Sequence, residues 1–211
     1  ARQGARYNPN YLNERENYFH KPQINLNWYH TINDNMRLGN IFYFSGGSGG
    51  GSGTLGSVKS SSALGFARNW DAEVAENGDA TDGSPASTGI LRNSINNQWT
   101  LGAISKLYHE VNDNLNLTYG LDVRSAQVEH AREVRDLLGG AYYVDNSSDF
   151  RQADFQAGLG DKIAYHNTTT INWAGAYVQG DYRSDRLSAN GVAGFTMASY
   201  TLTDHFRDNG N

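Results

Sequence analysis

Apolar and polar positions alternate with a period of two along three pairs of segments in this chain. Ile24, Leu26, Trp28 and Ile32 fall on one side, and Gln23, Asn25, Asn27 and Thr31 on the other. After Asn33-Asp34-Asn35 the alternation resumes. Met36, Leu38, Phe42 and Phe44 share a side, with Asn40 the exception, while Arg37, Gly39, Ile41 and Tyr43 take the opposite one. Successive side chains of a strand point to opposite faces, so each run predicts a strand with one apolar face. The second pair is the clearest. Trp99, Leu101, Ala103, Leu107 and Val111 alternate with Gln98, Thr100, Lys106 and Glu110. Beyond Asn112-Asp113-Asn114, Leu115, Leu117, Tyr119, Leu121 and Val123 alternate with Asn116, Thr118, Gly120, Asp122 and Arg124. The third pair joins 171–182 to 187–202 through Arg183-Ser184-Asp185. Its apolar side carries Ala174, Ala176, Val178 and Tyr182, then Leu187, Ala189, Ala193, Phe195 and Met197.

Connection lengths sort by end. Within each pair the turn is a few polar residues; between pairs the polar stretches run over 45–94 and 125–170. Short turns at one rim and long loops at the other is the arrangement of a transmembrane β-barrel. Each run reaches the ~9–11 residues that a tilted strand needs to cross a bilayer. The expected fold is therefore all-β: an antiparallel transmembrane β-barrel segment of about six strands in three hairpins, with 1–211 part of one barrel domain. The two long stretches are expected to be extracellular loops, and the tight turns to mark the periplasmic rim. Gly46 to Gly53 is a Gly/Ser run and reads as a flexible loop opening. From Val128 the period changes: Ala131, Val134, Leu137 and Leu138 recur at helical spacing before Gly139-Gly140, which predicts a short loop helix over 129–138. Residues 1–17 read as an irregular opening, and the polar end at 208–211 as loop. Trp28, Tyr29, Trp99, Tyr108 and Trp173 are expected as interface girdles and lipid-facing anchors.

Composition narrows the classes. The chain has 211 residues, no Cys, 24 Gly, 13 Tyr and only 3 Pro, with a net charge of -5. Without Cys there is neither a disulfide framework nor a thiolate metal site. The acidic balance, with a pI near 5.6, gives no basic footprint for nucleic acid. Mean hydropathy is -0.64, and no apolar run approaches the ~20 residues of a spanning helix. A barrel is compatible with that value, because alternate residues face a wet lumen. The sequence starts at Ala1-Arg2-Gln3-Gly4 without an initiator Met or apolar signal region, which predicts a mature, trimmed or fragmentary chain.

Catalytic motifs are not found. There is no G-x-S-x-G elbow, and Gly46 to Gly53 lacks the Gly-Lys-Ser/Thr ending of a phosphate-binding loop. His130 and Glu133 alone do not make a metal site. Gly78-Asp79-Ala80-Thr81-Asp82-Gly83 lacks the carboxylate spacing of a calcium loop and reads as a surface turn. No enzyme activity, metal or cofactor is expected. The polar side of the strands gives the functional candidates: Arg37, Lys106, Glu110, Asp122 and Arg124 as lumen-facing residues that line the channel or meet a plug. Arg132, Arg135 and Asp136 are candidates on an extracellular loop.

Several patches resemble one family. Tyr18-Phe19-His20-Lys21-Pro22-Gln23-Ile24-Asn25-Leu26-Asn27 resembles the opening of a strand in TonB-dependent outer-membrane receptors of the Bacteroidota type. Phe44 to Gly56 is similar to the glycine-rich start of an external loop in them. Tyr119-Gly120-Leu121-Asp122-Val123-Arg124 with 129–140, and Gly160-Asp161-Lys162-Ile163 with the Trp173 strand, follow in the expected order. The resemblance implies a middle segment of a plugged barrel of ~22 strands, with plug domain and remaining strands outside this sequence. It implies uptake of a nutrient such as a glycan, peptide or siderophore across the outer membrane of a Gram-negative bacterium. The implied partners are outer-membrane lipid, the plug and the rest of the barrel, TonB and a surface lipoprotein. Two rival readings follow from the same strands: a structural or interaction role in an outer-membrane or secretion assembly, and a soluble all-β binding module.

Overall fold

The computed structural model describes residues 12–60, 68–79 and 85–208. The expected opening up to Tyr11, the end at 209–211 and residues 80–83 of the expected surface turn lie outside those residues. The strands are β1 (Asn17–His20), β2 (Gln23–Asn33), β3 (Met36–Gly56), β4 (Gly89–Asn112), β5 (Leu115–Asp136), β6 (Tyr143–Asp145), β7 (Phe155–Ala157), β8 (Lys162–Arg183) and β9 (Ser188–Asp204), with one helix, α1 (Trp70–Gly78). Seven strands form one antiparallel sheet in the order β1-β3-β4-β5-β8-β9, with β2 also on β3. The remaining two, β6 and β7, pair with each other. The protein is thus all-β and antiparallel, and its large sheet is open: among the described residues, β9 pairs only with β8, and β1 and β2 only with β3.

All three predicted hairpins form, for local reasons. Asn33 Oδ1 accepts from the Asn35 N–H at 3.0 Å, and Asn112 Oδ1 accepts from the Asn114 and Leu115 N–H groups at 3.0 Å each. These side chains mimic the backbone of a turn, which is why Asn opens it. In the third hairpin the Ser184 N–H reaches the Leu187 carbonyl at 2.8 Å. At the other edge, β1 and β2 share one position, pairing with the far and near halves of β3. Pro22 sits at the break. It has no N–H to donate to a ladder, and its carbonyl accepts from Gly46 N at 3.1 Å.

The strands run past the limits that the alternation predicts. β3, β4, β5 and β8 are 21, 24, 22 and 22 residues long, so the connections contract from 45–94 and 125–170 to 57–88 and 137–161. The glycine run is strand, not loop. Gly49 pairs with Phe19 of β1 on one side and Asn96 of β4 on the other, and a Cβ there would stand 2.9 Å from the Tyr18 carbonyl oxygen. A run that is flexible alone is held by two partners and is glycine because they approach closely.

The helix expected over 129–138 is also strand through Asp136. Ala131 and Val134 are both buried but belong to opposite faces, because both faces are covered at this end. Two-sided burial gives an apolar spacing that periodicity does not distinguish from a helix. The helix lies instead in the first connection, where Asn69 caps α1 by accepting from Ala72 N at 3.2 Å.

Register fixes the faces. Leu26, Phe42, Ala103, Val123, Ala174 and Met197 line up across the sheet; the row on one side joins Ile24, Phe44 and Leu101 to Ser125, and the row on the other joins Asn40 and Ser105 to Leu121, Ala176 and Phe195. The apolar face is open to its surroundings: Leu26 is 64%, Leu101 56% and Phe195 69% exposed. Tyr29, Tyr108 and Trp173 sit on the opposite, polar face, so of the five aromatics expected as anchors only Trp28 and Trp99 lie on the apolar face. The polar-face tyrosines fill glycine gaps: the Tyr43 ring lies across Gly102, and the Tyr177 ring across Gly120. Gly120→Ala should therefore cost about 1–3 kcal/mol by displacing that ring. Gly191, which has open space around its Cβ position, should accept Ala without loss; denaturant midpoints of the two variants check this.

Beyond the alternating part, Ile90, Val134, Leu137, Ala157 and Ile163 form a small core with Leu55, Tyr143 and Phe155. Asn77 of α1 ties the first connection to the second: its Nδ2 donates to the carbonyls of Gly89, Leu137 and Leu138 at 2.9, 3.2 and 3.0 Å. Its Oδ1 accepts from Thr88 N at 3.0 Å.

Candidate functional site

The polar face carries a cleft near the tight turns. It encloses about 550 Å³ and is lined by Tyr29, Thr31, Arg37, Tyr108, Glu110 and Thr118, among others. Alternation places these side chains together because the register brings the odd positions of β2 and β3 to the same side as the even positions of β4 and β5. Arg37 Nη2 donates to Glu110 Oε1 at 2.9 Å, with both groups more than half exposed. Such a pair contributes little to stability, but it places one cation and one anion at the rim of the cleft.

The other three lumen candidates share this face. Lys106 stands opposite Gly39 and Gly120, where the small neighbours leave its ammonium reach into the open side. Arg124 lies over the Trp173 ring at 5.1 Å, a cation–π contact with a flat partner. Asp122 faces Ile104 and Gly175, and its Oδ1 is buried without a partner among the described residues. The five residues form a ladder over β3, β4 and β5, and only Arg37 and Glu110 are joined as an ion pair among the described residues.

The three loop candidates are on β5, because that strand continues where a loop was expected. Arg132 pairs in register with Ser94 and stacks over Tyr165 at 5.1 Å. Arg135 reaches Glu16 at 2.7 Å. Asp136 closes the strand by accepting from Leu138 N at 2.8 Å, in the turn where Leu138 has φ 51° and Gly139 φ 100°.

Three features of this end escaped the sequence reading. Arg92 is on β4 beyond the run that alternates cleanly. Glu133 holds Lys162 at 2.9 Å and Asn93 at 3.2 Å. Glu129 takes His166 at 2.9 Å and Asn97 at 3.0 Å, and the His166 ring packs against His205 at 4.3 Å, tilted by 36°. A strand bulge explains why pattern failed: register shifts between Ala131 and Glu133, and Ala164 takes φ 66°. Its freed N–H reaches Asp145 Oδ1 at 3.2 Å and Ser147 Oγ at 2.8 Å, which anchors the β6–β7 ribbon.

This acid–histidine joint is pH-sensitive in one direction. Burial pushes the His166 ring below its ordinary 6.5, against the opposing pull of Glu129, so at pH 7 the contact is a hydrogen bond to a neutral imidazole. The Asn97 hydrogen bond, then His166, holds Glu129 below its ordinary 4.5, against burial. A base with a depressed value favours its neutral form when folded, so its contribution is complete above 6.5 and falls as pH drops below it. The depressed carboxylate contributes above 4.5 and loses that as pH falls through its folded value. Both terms loosen the joint on acidification. Amide exchange at Ala131 and Asn167, corrected for intrinsic rate, should speed up between pH 7 and pH 5; a flat profile would contradict it.

No protein-family model matches this chain, and no curated protein matches it.

Proposed function

We propose that the chain is an arc of wall in a transmembrane β-barrel of the TonB-dependent receptor type, which takes up a nutrient across a bacterial outer membrane. The observation that carries this reading is the apolar band on one face of six neighbouring strand positions, set against a charged, clefted opposite face. From Leu115 to Val123 the band spans nine residues of β5, about 26 Å over eight steps of ~3.3 Å. At a tilt of ~40° that is about 20 Å along the membrane normal, close to the ~25 Å apolar belt of such barrels. Exposed apolar surface of this extent on a water-soluble domain would promote association. The band stops at Trp99, whose Nε1 donates to Gln127 Oε1 at 3.1 Å, an apolar ring with a polar tip as at a membrane interface. Past it the same face turns to Asn97, Asn93, Glu129 and Glu133.

The open sheet edges set a requirement on this reading: unpaired backbone N–H and C=O groups are not tolerated in lipid, so in a membrane further strands close the wall beyond β9 and beyond β2. In this reading the tight turns face the periplasm, and the ends of β3–β5 and β8 with α1 and β6–β7 stand outside the cell. The ladder from Arg37 to Arg124 lines the lumen or meets a plug, and the resemblance adds the energising inner-membrane complex and a surface lipoprotein. Uptake of labelled oligosaccharides or peptides by cells expressing the full receptor should stop when that complex is deleted. Uptake that persists unchanged would favour a passive or structural barrel instead.

A further inference from the structure

We propose that Arg92 and Arg132, with Tyr165 on the far side of Arg132, form a binding subsite for a small oxyanion (a carboxylate, sulfate or phosphate) carried by the solute at the loop end of the polar face. The two arginines are on neighbouring strands and the same face: Arg92 pairs with Val134, and Arg132 with Ser94, one step along the ladder. Arg92 is held in place, with Nη1 donating to Ser94 Oγ at 2.6 Å and to the Gly51 carbonyl at 3.2 Å. Arg132 is held by stacking on Tyr165. Both retain a buried Nε without a partner, and neither makes an ion pair among the described residues. Burial, and then the nearby Arg132 charge, push Arg92 below the usual arginine range, so two guanidinium groups are crowded together uncompensated.

The surrounding carboxylates do not relieve them. Glu129 and Glu133 point to the opposite face and are taken by His166 and Lys162. Glu16 holds Arg135, Glu14 holds Arg68, and Asp145 accepts from Ser147. In a chain with a net charge of -5, an acid for every arginine is within the composition, yet neither of these two has a carboxylate partner among the described residues. A planar fork recognises a two-oxygen anion by paired hydrogen bonds, and two adjacent forks on a rigid sheet are pre-organised for it. The inference rests on the uptake reading only in assigning the oxyanion to a transported solute.

Calorimetric titration of the full receptor in detergent with citrate, inorganic sulfate and inorganic phosphate, at matched ionic strength, tests this. Maltotriose serves as the neutral comparison. At least one anion should bind. Arg92→Gln and Arg132→Gln should each weaken it roughly tenfold or more, and Arg207→Gln, at an exposed pair with Asp149, should not. Arg92→Lys and Arg132→Lys, which keep charge and lose the fork, should weaken it less than the Gln variants and secure the test if those fail to assemble. No anion binding by the wild type, or equal binding in all variants, overturns the proposal. Because the titration needs no energised uptake, a passive barrel that still binds anions through Arg92 and Arg132 would refute transport and leave this subsite standing.

Discussion

Leu121→Arg is expected to cost about 2–4 kcal/mol when the protein is unfolded from liposomes, with a matching fall in the yield of membrane-assembled protein. Leu121 is 58% exposed, so in water an arginine there would be harmless or helpful. The cost arises only if the side chain meets hydrocarbon, where a charge is poorly solvated. Its height sharpens the expectation: Leu121 stands opposite Ser105 and Ala176, near the middle of the band between Leu115 and Ser125. Asn116, exposed on the polar face of the same strand, is the matched comparison, and Asn116→Arg should stay within about 0.5 kcal/mol. Equal effects of the two substitutions would remove the distinction between the faces.

Asn77→Ala should cost about 2–4 kcal/mol locally, by leaving three carbonyls and the Thr88 N–H without their partner in a buried site. Asn77 is 2% exposed, and both amide atoms are used, so no rearranged water shell replaces the side chain cheaply. The loss should appear as faster amide exchange at Thr88 and Lys59, whose N–H groups bond to Asn77 and to Glu73 of the same helix. The β4–β5 ladder, which does not depend on α1, should keep its protection. Unchanged exchange at Thr88 would show that the loop-end core alone holds α1.

The hairpins were legible in the sequence because one face of each strand is apolar and the other polar, so the period of two survives, and because Asn opens the first two turns. Legibility ended where that contrast ended. On β5, Ala131 and Val134 are buried on opposite faces, and a strand with two covered faces imitates a helix. On β3, the glycines carry no side-chain signal at all. Arg92 and Arg132 share a face by the same alternation that marked Asp122 and Arg124. Past Ser94 and Ser125 both faces carry buried residues, so the contrast that would mark Arg92 is lost and Arg132 falls in a stretch that reads as loop. The joint of Glu129, His166 and His205 is assembled from β5, β8 and the residue that follows β9, across a bulge, and leaves no spacing to read.

Single-cysteine scanning of β5 from Leu115 to Ser125 tests the lipid-facing band most directly, because the chain has no Cys of its own. In liposomes, fluorophores at Leu117, Tyr119, Leu121 and Val123 should be quenched by spin-labelled lipid and shielded from iodide. Those at Thr118, Asp122 and Arg124 should show the reverse; Gly120 is left unlabelled, because the Tyr177 ring fills its place. Iodide quenching of both sets without alternation would place both faces of the sheet in water and contradict a membrane wall.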